Sequence, residues 1–318
     1  MGRPKSMPFE PLLPRIPTLV MPTRVGAVEG PTRGQARGIG WRKTTAGFYV
    51  PSIVETTCVE QRILEQGHRM TGGVVTGWAS LRLHRAAYFD GIARDGVTVL
   101  PVPLLENGQR LTPGPGRRIL RSTVAETDVE VFRGVLRCAT VPRALLDALR
   151  LEPDDREAVV AIDMCLAAGL VTIAGFQRYL HGQRGKPGVR RALMLVPQCD
   201  ARSRSPQESR LRLIWEHDAG WGRPLCNVDV CDANGVFIGR PDLLDPVRGV
   251  VGEYDGAEHR SRSRHARDVT REEGFRKAGL EVVTVVGEAL HDIPTLVARL
   301  HQAEARARDR PRSFLWRE

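Results

Sequence analysis

Two apolar segments joined by a short loop constrain the fold of this chain more than any other feature. VFIGRPDLLD spans residues 236–245 and VVGEYDG spans residues 250–256, so only four residues separate them. Apolar runs around a loop of this length predict an antiparallel β-hairpin. A hairpin that closes at this loop has Asp245 facing Val250. That pair would fix the register of the two strands.

The predicted register brings acidic side chains together. Counting outward places Asp242 opposite Glu253, with their Cβ atoms about 5 Å apart. Asp255 shares this face because side chains alternate along a strand, and Arg240 falls opposite Asp255. Opposed like charges destabilise a sheet unless they are neutralised, and Mg²⁺ binds carboxylates of this kind. Alternatively, Arg240 pairs with Asp255 while Asp242 and Glu253 lie at a solvated edge.

Two roles fit Glu208. The run SPQE, residues 205–208, has the pattern of a capping box, with Ser205 at the N-cap and Pro206 at the first helical position. That role is structural and needs no chemistry. The helix also directly precedes the predicted sheet, which would allow Glu208 to lie beside the acidic face. The sequence leaves both roles open.

Composition and pattern divide the chain into four parts. Residues 1–22 are rich in Pro and are expected to be poorly ordered, and residues 23–55 form a basic module. Residues 56–200 mix helices and strands as an α+β region, which includes a helix predicted over 154–168 and ends in a linker. Residues 201–318 predict helix, three strands, helix, strand and helix, which indicates an α/β domain.

The basic module favours a polyanionic partner. The whole chain has a formal net charge of +10 and a pI near 9.9, and contacts with phosphates supply most non-specific affinity for nucleic acid. Within the module, a short helix near RGQAR precedes a predicted β wing, and a winged helix that binds DNA fits this pattern. A basic surface hairpin fits it as well. The residues predicted to contact DNA are Arg33, Arg37, Arg42 and Lys43.

The N-terminal sequence argues against export and against a membrane partner. Prolines and Arg15 interrupt the region where a signal peptide needs an unbroken apolar run. The chain also contains no apolar stretch of about 20 residues, the length that spans a membrane. We therefore expect a cytoplasmic protein, in which the six scattered cysteines are free thiols.

The C-terminal motifs resemble a known nuclease fold. A helix with Glu, a strand with Pro-Asp and a strand with Glu-x-Asp resemble the PD-(D/E)xK restriction-endonuclease-like fold. The run GRPDLLDPVRGVVGEYDGAEH, with the later RDVTREEGFRKAGLEVVTV, is similar to domains related to very-short-patch-repair endonucleases. The resemblance covers residues 205–302, about a third of the chain. It implies a mixed sheet flanked by helices and hydrolysis of DNA phosphodiesters with Mg²⁺ or Mn²⁺.

The resemblance also implies roles for particular residues. Asp242 and Glu253 match the metal-binding acids, Glu208 matches the Glu of the first helix, and His259 matches a His that assists at the phosphate. The chain departs from the fold's pattern at Asp255, which stands where a Lys is usual. An acid there cannot stabilise negative charge on a phosphate. These five residues form the predicted catalytic set.

We expect the helix that follows the two strands to supply positive charge to the acidic site. Asp268 and Arg271 are three residues apart and therefore neighbours on that helix. They either support the site or form a surface ion pair. Arg267, Arg271 and His259 are candidates to supply the charge that the missing Lys would carry.

The upstream half resembles a regulator. TRGQARGIGWRKTTAGFYVP, and especially Gly47-Phe48-Tyr49-Val50-Pro51, resembles the N-terminal winged helix of AbiEi-type antitoxin-like regulators. The resemblance implies a DNA-binding module. The first functional hypothesis is a metal-dependent DNA endonuclease. The alternative is an antitoxin-type transcriptional regulator whose nuclease-like domain has lost catalysis, with a toxin or other protein as a further partner.

Overall fold

The computed structural model of the chain describes residues 12–13, 16–68, 73–108, 110–255 and 262–317. The protein is a mixed α/β protein with several sheets and flanking helices. It divides into two compact units, of which unit 1 comprises Met1–Pro153 with Ala168–Pro197 and unit 2 comprises Asp154–Ala167 with Gln198–Glu318.

Helices occur in both units, and several begin at a residue whose side chain caps the first turn. The Thr172 hydroxyl accepts the Gly175 N–H at 3.0 Å, and the Asp292 carboxylate accepts the Thr295 N–H at 3.2 Å. No helix among the described residues is long and apolar enough to cross a membrane. The helices are α1 (Val59–Gly67), α2 (Gly77–Leu83), α3 (Val141–Leu151), α4 (Asp155–Ala167), α5 (Ile173–Gly182), α6 (Val189–Leu195), α7 (Pro206–Leu213), α8 (Arg262–Lys277) and α9 (Ile293–Ala307).

The strands of the described residues form two sheets in each unit. Unit 1 contains sheets with the strand orders β1-β3-β2 and β6-β5-β4-β8-β7, and unit 2 contains sheets with the orders β14-β13-β12-β9 and β11-β10-β15. The strands are β1 (Thr23–Arg24), β2 (Trp41–Thr45), β3 (Phe48–Pro51), β4 (Val74–Val75), β5 (Val102–Leu105), β6 (Arg117–Leu120), β7 (Val129–Phe132), β8 (Leu136–Ala139), β9 (Leu225–Cys226), β10 (Asp229–Asp232), β11 (Phe237–Gly239), β12 (Leu243–Asp245), β13 (Val250–Asp255), β14 (Glu281–Val286) and β15 (Phe314–Arg317).

In unit 1, the basic module carries the hairpin that its sequence predicts. Strands β2 and β3 pair antiparallel, and β1 adds to the outer side of β3. The segment near RGQAR forms a single 3₁₀ turn, Gln35–Arg37, whose N–H at Gln35 bonds to the Thr32 hydroxyl. The hairpin fits a wing, while the assignment of the whole module as a winged helix stays a prediction.

Unit 2 contains the hairpin predicted between residues 236 and 256, with the predicted register. Asp245 pairs with Val250, and Leu243 pairs with Gly252. Strand β14 then adds parallel to β13. Alternation sends Leu243 and Val250 into the core that contains Trp215, whereas their neighbours Leu244 and Val251 enter the core on the other face.

Two strands that the sequence predicts as continuous are divided in the structure. VFIGRPDLLD breaks into β11 and β12, which belong to different sheets. The break falls at Pro241, because proline has no N–H to donate to a ladder. LCNVDVCD likewise breaks into β9 and β10 around Asn227, whose φ of 51° lies in the left-handed region.

Helix α4 belongs to unit 2, although its sequence position placed it in the predicted middle region. Asp163 of α4 is fully buried and accepts bonds from Arg212 Nη2 at 2.9 Å, Ser209 Oγ at 2.7 Å and the Asp200 N–H at 2.7 Å. Arg212 is also fully buried, and it donates to Glu216 at 2.8 Å. The buried ion pair between Asp163 and Arg212 therefore joins α4 to α7.

We expect Asp163→Ala to lower the free energy of unfolding by about 3 kcal/mol, because the substitution leaves the buried guanidinium of Arg212 without its main counter-charge. Urea unfolding followed by circular dichroism measures this change. The double substitution Asp163→Leu with Arg212→Met should recover most of the loss, because it removes both buried charges.

The matched control is Asp218→Ala, which removes the partner of Arg156 in a more exposed ion pair of unit 2. Its expected cost is below about 1 kcal/mol. Equal costs for Asp163→Ala and Asp218→Ala would show that the buried pair does not hold α7 in place.

Candidate functional site

Asp242 lies at the break between β11 and β12 and is bonded to segments on both sides. Its Oδ2 accepts the backbone N–H of Tyr254 on β13 at 2.7 Å. Its carbonyl oxygen accepts the backbone N–H of Asn227 at 3.0 Å. Pro241 interrupts the hydrogen-bonded ladder between the strands. Just after it, the Asp242 carboxylate accepts the N–H of Tyr254 on β13.

Ser205 caps helix α7, and the Glu208 carboxylate lies near the acidic site, where its charge acts on Asp242. The Ser205 hydroxyl accepts the Glu208 N–H at 3.2 Å, as the capping box predicts. The nearly buried carboxylate of Glu208 accepts the Arg204 N–H and the Asn227 side-chain N–H, each at 2.8 Å. The Ser205 half of the predicted capping box is therefore present, while the Glu208 carboxylate bonds to Arg204 and Asn227 beside the acidic site.

Asn227 is a site residue that the sequence prediction missed. Its Nδ2 donates to the carbonyl of Arg202 at 2.9 Å and to Glu208 at 2.8 Å, while its backbone N–H holds Asp242. Asn227 thus joins the helix that carries one acid to the strand entry that carries another. A lone Asn within an apolar strand pattern is the signal that could have found it, because Asn tolerates the left-handed conformation.

The carboxyl groups of Glu208, Asp242 and Glu253 are close enough to perturb one another. Burial raises the pKa of Asp242 to about 8, and the negative charges of Glu208 and Glu253 contribute to that rise. The Tyr254 N–H and the Arg271 charge oppose it. Burial also raises the pKa of Glu208. A carboxyl with this pKa holds a proton at neutral pH unless a cation replaces it.

Arg271 of α8 contacts the acidic cluster. Its Nη2 donates to Glu253 Oε2 at 2.8 Å, and the Arg271 side chain is about one-third exposed. Gly239 leaves room for this side chain, because a Cβ there would come within 2.8 Å of the Arg271 Cγ and Cδ. The predicted link between Arg271 and the site is thus present as an ion pair with one of the two predicted metal ligands.

The alternative in which Arg240 pairs with Asp255 is wrong. Arg240 Nε instead donates to Asp229 Oδ1 at 2.7 Å, because β11 pairs with β10 and leaves the sheet that contains β13. Burial and the nearby charge of Arg240 lower the pKa of Arg204, whereas the charges of Glu208, Asp242 and Asp229 raise it. The Arg204 guanidinium is therefore close enough to feel the charges of these acids and of Arg240.

The remaining predicted site residues are only partly described. Asp255 ends β13, pairs in register with Val286, and alternates onto the same face as Glu253. His259 lies outside the described residues. Asp268 lies in α8, but its side chain also lies outside the described part, so its predicted pairing with Arg271 stays a prediction.

The carboxylate oxygens of Glu208, Asp242 and Glu253 are chemically suited to bind a hard cation. Carboxylate oxygens are the ligands that Mg²⁺ prefers, and a cation bound at Asp242 would stabilise the ionised carboxylate and so lower its raised pKa. Among the residues that the structure describes, however, no three His, Cys, Asp or Glu side chains are arranged to hold a metal ion. Because Arg271 bonds to Glu253 Oε2, a cation at Glu253 would compete with this ion pair.

The predicted DNA contacts of unit 1 differ in their surroundings. Arg33, Arg37 and Lys43 are exposed. Arg42 is partly buried, and its two Nη groups donate to both oxygens of Glu65 at 2.8 and 2.7 Å. Arg33, Arg37 and Lys43 are therefore accessible to a phosphate without rearrangement. Arg42 is instead held in a bidentate ion pair with Glu65.

We expect Arg42→Gln to lower the free energy of unfolding by about 1–2 kcal/mol, because the buried Glu65 carboxylate loses a bidentate partner. Thermal and urea unfolding measure the change. The neighbouring Lys43→Gln is the matched control and should leave stability unchanged while weakening DNA binding. The reverse pattern, with Lys43 important for stability and Arg42 for DNA binding only, would contradict this assignment.

The raised pKa of Asp242 predicts a pH dependence of stability in EDTA. The folded-state pKa of about 8 exceeds the value of about 3.9 for an unfolded Asp. The folded protein therefore binds an extra proton, and this stabilising contribution is complete below about pH 4 and is lost as the pH rises through about 8. Wild type should lose of the order of 4 kcal/mol relative to Asp242→Asn between pH 5 and 8.

Urea unfolding at several pH values measures this difference, and Asp309→Asn, at an exposed position, serves as the control. The control should follow wild type. Parallel curves for wild type and Asp242→Asn would contradict a perturbed carboxyl at this position.

Comparisons with known proteins give distant similarity without a function. No protein-family model matches the chain, and no solved structure matches it. The chain is 25% identical over 218 residues to the uncharacterized protein Rv2248 of Mycobacterium tuberculosis strain H37Rv, and equally to the uncharacterized protein MT2308 of strain CDC 1551. The matched region covers 67% of this chain and 78% of each relative. The chain is thus distantly similar to these mycobacterial proteins over about two thirds of its length.

Proposed function

We propose that the protein is a metal-dependent DNA endonuclease that hydrolyses phosphodiester bonds. The observation that carries this proposal is the meeting of Glu208, Asp242 and Glu253, which come from α7, the entry to β12, and β13. Like charges held together in a partly buried site favour a cationic ligand. The order of α7, the β12–β13 hairpin, α8 and β14 supports a restriction-endonuclease-like fold for unit 2.

In this proposal Asp242 and Glu253 would hold Mg²⁺ or Mn²⁺. A cation bound there would polarise the phosphate and lower the pKa of a water molecule. The Tyr254 N–H orients Asp242, and Asn227 connects the Glu208 carboxylate to the Asp242 backbone. These bonds hold the acids in place before any ligand arrives.

Positive charge near the acids would compensate for Asp255 at the position of the usual Lys. Arg271 already lies against Glu253, so it can exchange that carboxylate for a phosphate oxygen when a cation binds. His259 and Asp268 keep the roles that the resemblance implies. The module of residues 23–55, with exposed Arg33, Arg37 and Lys43, would bind DNA as a winged-helix-like module.

A second candidate function is an antitoxin-type transcriptional regulator whose nuclease-like unit binds DNA without cutting it. The ion pair between Arg271 and Glu253 favours it, because a guanidinium already neutralises one of the two metal-binding acids. Asp255 in the Lys position favours it as well. A regulator of this type would have a toxin or another protein as its partner, in addition to DNA.

The nuclease proposal predicts that wild type binds Mg²⁺ and Mn²⁺ and nicks supercoiled plasmid. Asp242→Ala should lose both properties, with nicking reduced about 100-fold or more, because the cation contributes several kcal/mol to transition-state stabilisation. Calorimetric titration of each metal and a plasmid-nicking assay on the same samples measure the two properties. Asp309→Ala, at an exposed position of unit 2, is the control and should behave as wild type.

The two candidate functions give different results in this experiment. Wild-type protein that binds DNA but shows neither metal binding nor nicking would overturn the enzyme and support the regulator. Nicking that survives in Asp242→Ala would place the activity elsewhere or in a contaminant.

A further inference from the structure

Strand β15 forms one edge of a three-stranded sheet in unit 2. The strand order is β11-β10-β15, and β15 pairs antiparallel with β10 along its whole length, from Asp232 opposite Phe314 to Asp229 opposite Arg317. Among the described residues, no strand pairs with the outer side of β15. Half of the backbone N–H and C=O groups of such an edge strand point away from its partner and can bond to another strand.

The side chains of β15 are unusual for the edge of a sheet. Natural edge strands usually carry charged residues, proline or bulges that prevent pairing with another chain. Three of the four positions of β15 instead hold Phe314, Leu315 and Trp316, of which the last two are 48% and 45% exposed. The outer strand β14 of the other sheet differs, because Arg299 donates to the Thr284 carbonyl there at 2.7 Å. The outer edge of β15 is therefore both unpaired and apolar.

Leu315 ends an apolar row that crosses the sheet. Cys231 of β10 lies opposite both Phe237 and Leu315, so these three side chains share one face. Cys231 is buried, whereas Phe237 and Leu315 are about half exposed. On the other face of β15, the rings of Phe314 and Trp316 have centroids 6.1 Å apart. An apolar residue placed beside Leu315 would continue the row, and aromatic rings placed beside Phe314 and Trp316 would extend their contact.

The sequence of β15 is complementary to itself when two copies run antiparallel. A two-fold axis through Leu315 places this residue opposite its own copy and places Phe314 opposite Trp316 of the second copy, twice. Aromatic residues that lie directly opposite each other stabilise antiparallel strands. In this register Arg317 falls opposite Ser313, so no like charges face each other. A shift of the axis by one residue would place Leu315 opposite Ser313 or Arg317 and lose the apolar pairs.

We propose that β15 is the interface through which two copies of this chain associate as a symmetric dimer, with Leu315 on the two-fold axis. The pairing joins the two three-stranded sheets into one continuous sheet and closes on itself, so that it forms a dimer and not a filament. A strand of four residues supplies less than the roughly 800 Å² per partner of a standard interface, so we expect a dissociation constant on the order of 10 µM. The dimer does not depend on the proposed function.

Sedimentation velocity of the full chain, at concentrations from about 1 to about 200 µM, measures the association. The wild type should shift from monomer to dimer across this range. Leu315→Lys and Leu315→Glu should each weaken association at least about tenfold, because each places like charges opposite each other on the axis. Val286→Lys alters an exposed valine at the end of β14, in the other sheet of unit 2, and should associate as the wild type does.

Mixing the two charged variants tests the position of the axis. An equimolar mixture of Leu315→Lys and Leu315→Glu should recover dimer, because Lys then faces Glu across the axis. The thermal midpoint of each variant, measured by circular dichroism, identifies any that fails to fold. Leu315→Ser is the milder variant if a charged one unfolds, and it should weaken association about threefold.

Three results would overturn the proposed pairing. The first is a wild type that stays monomeric across the range, which would leave the edge of β15 for a strand of a different protein. The second is a dimer of unchanged strength in the folded Leu315 variants, which would place the contact on another surface. The third is a pair of folded charged variants that stay monomeric when mixed. None of these results depends on metal binding or on plasmid nicking.

Discussion

A buried ion pair determines where the first acid of the site lies. Asp163 and Arg212 are both fully buried and bonded at 2.9 Å, and Asp163 also accepts the hydroxyl of Ser209. Such a pair has a large desolvation cost, so it tolerates little displacement of either helix. Because Glu208 lies one turn before Arg212 on α7, the pair sets the rotation of that helix and, through it, the direction of the Glu208 carboxylate.

The acids that meet beyond this helix are stable only with positive charge nearby. Burial and two neighbouring carboxylates disfavour the ionised form of Asp242 and raise its pKa, and Arg271 neutralises Glu253. A divalent cation would replace the proton on one acid and the guanidinium on the other. The two candidate functions thus differ at a single step, which is whether Arg271 yields Glu253 to a cation. Both candidate functions include DNA binding.

The parts of the site that depend on local rules could be predicted from the sequence. A four-residue loop fixed the pairing of Asp245 with Val250, and the Ser-Pro-x-Glu pattern gave the cap at Ser205. The partner of Arg240 could not be predicted, because the break at Pro241 transfers one half of an apparently continuous strand to another sheet.

The most direct measurement is anomalous diffraction from crystals of the wild-type protein soaked in Mn²⁺. The proposed nuclease predicts an anomalous peak between the carboxylates of Asp242 and Glu253, with the Arg271 guanidinium displaced from Glu253. A crystal that binds Mn²⁺ elsewhere or not at all, with the ion pair between Arg271 and Glu253 intact, would contradict a metal site formed by these acids.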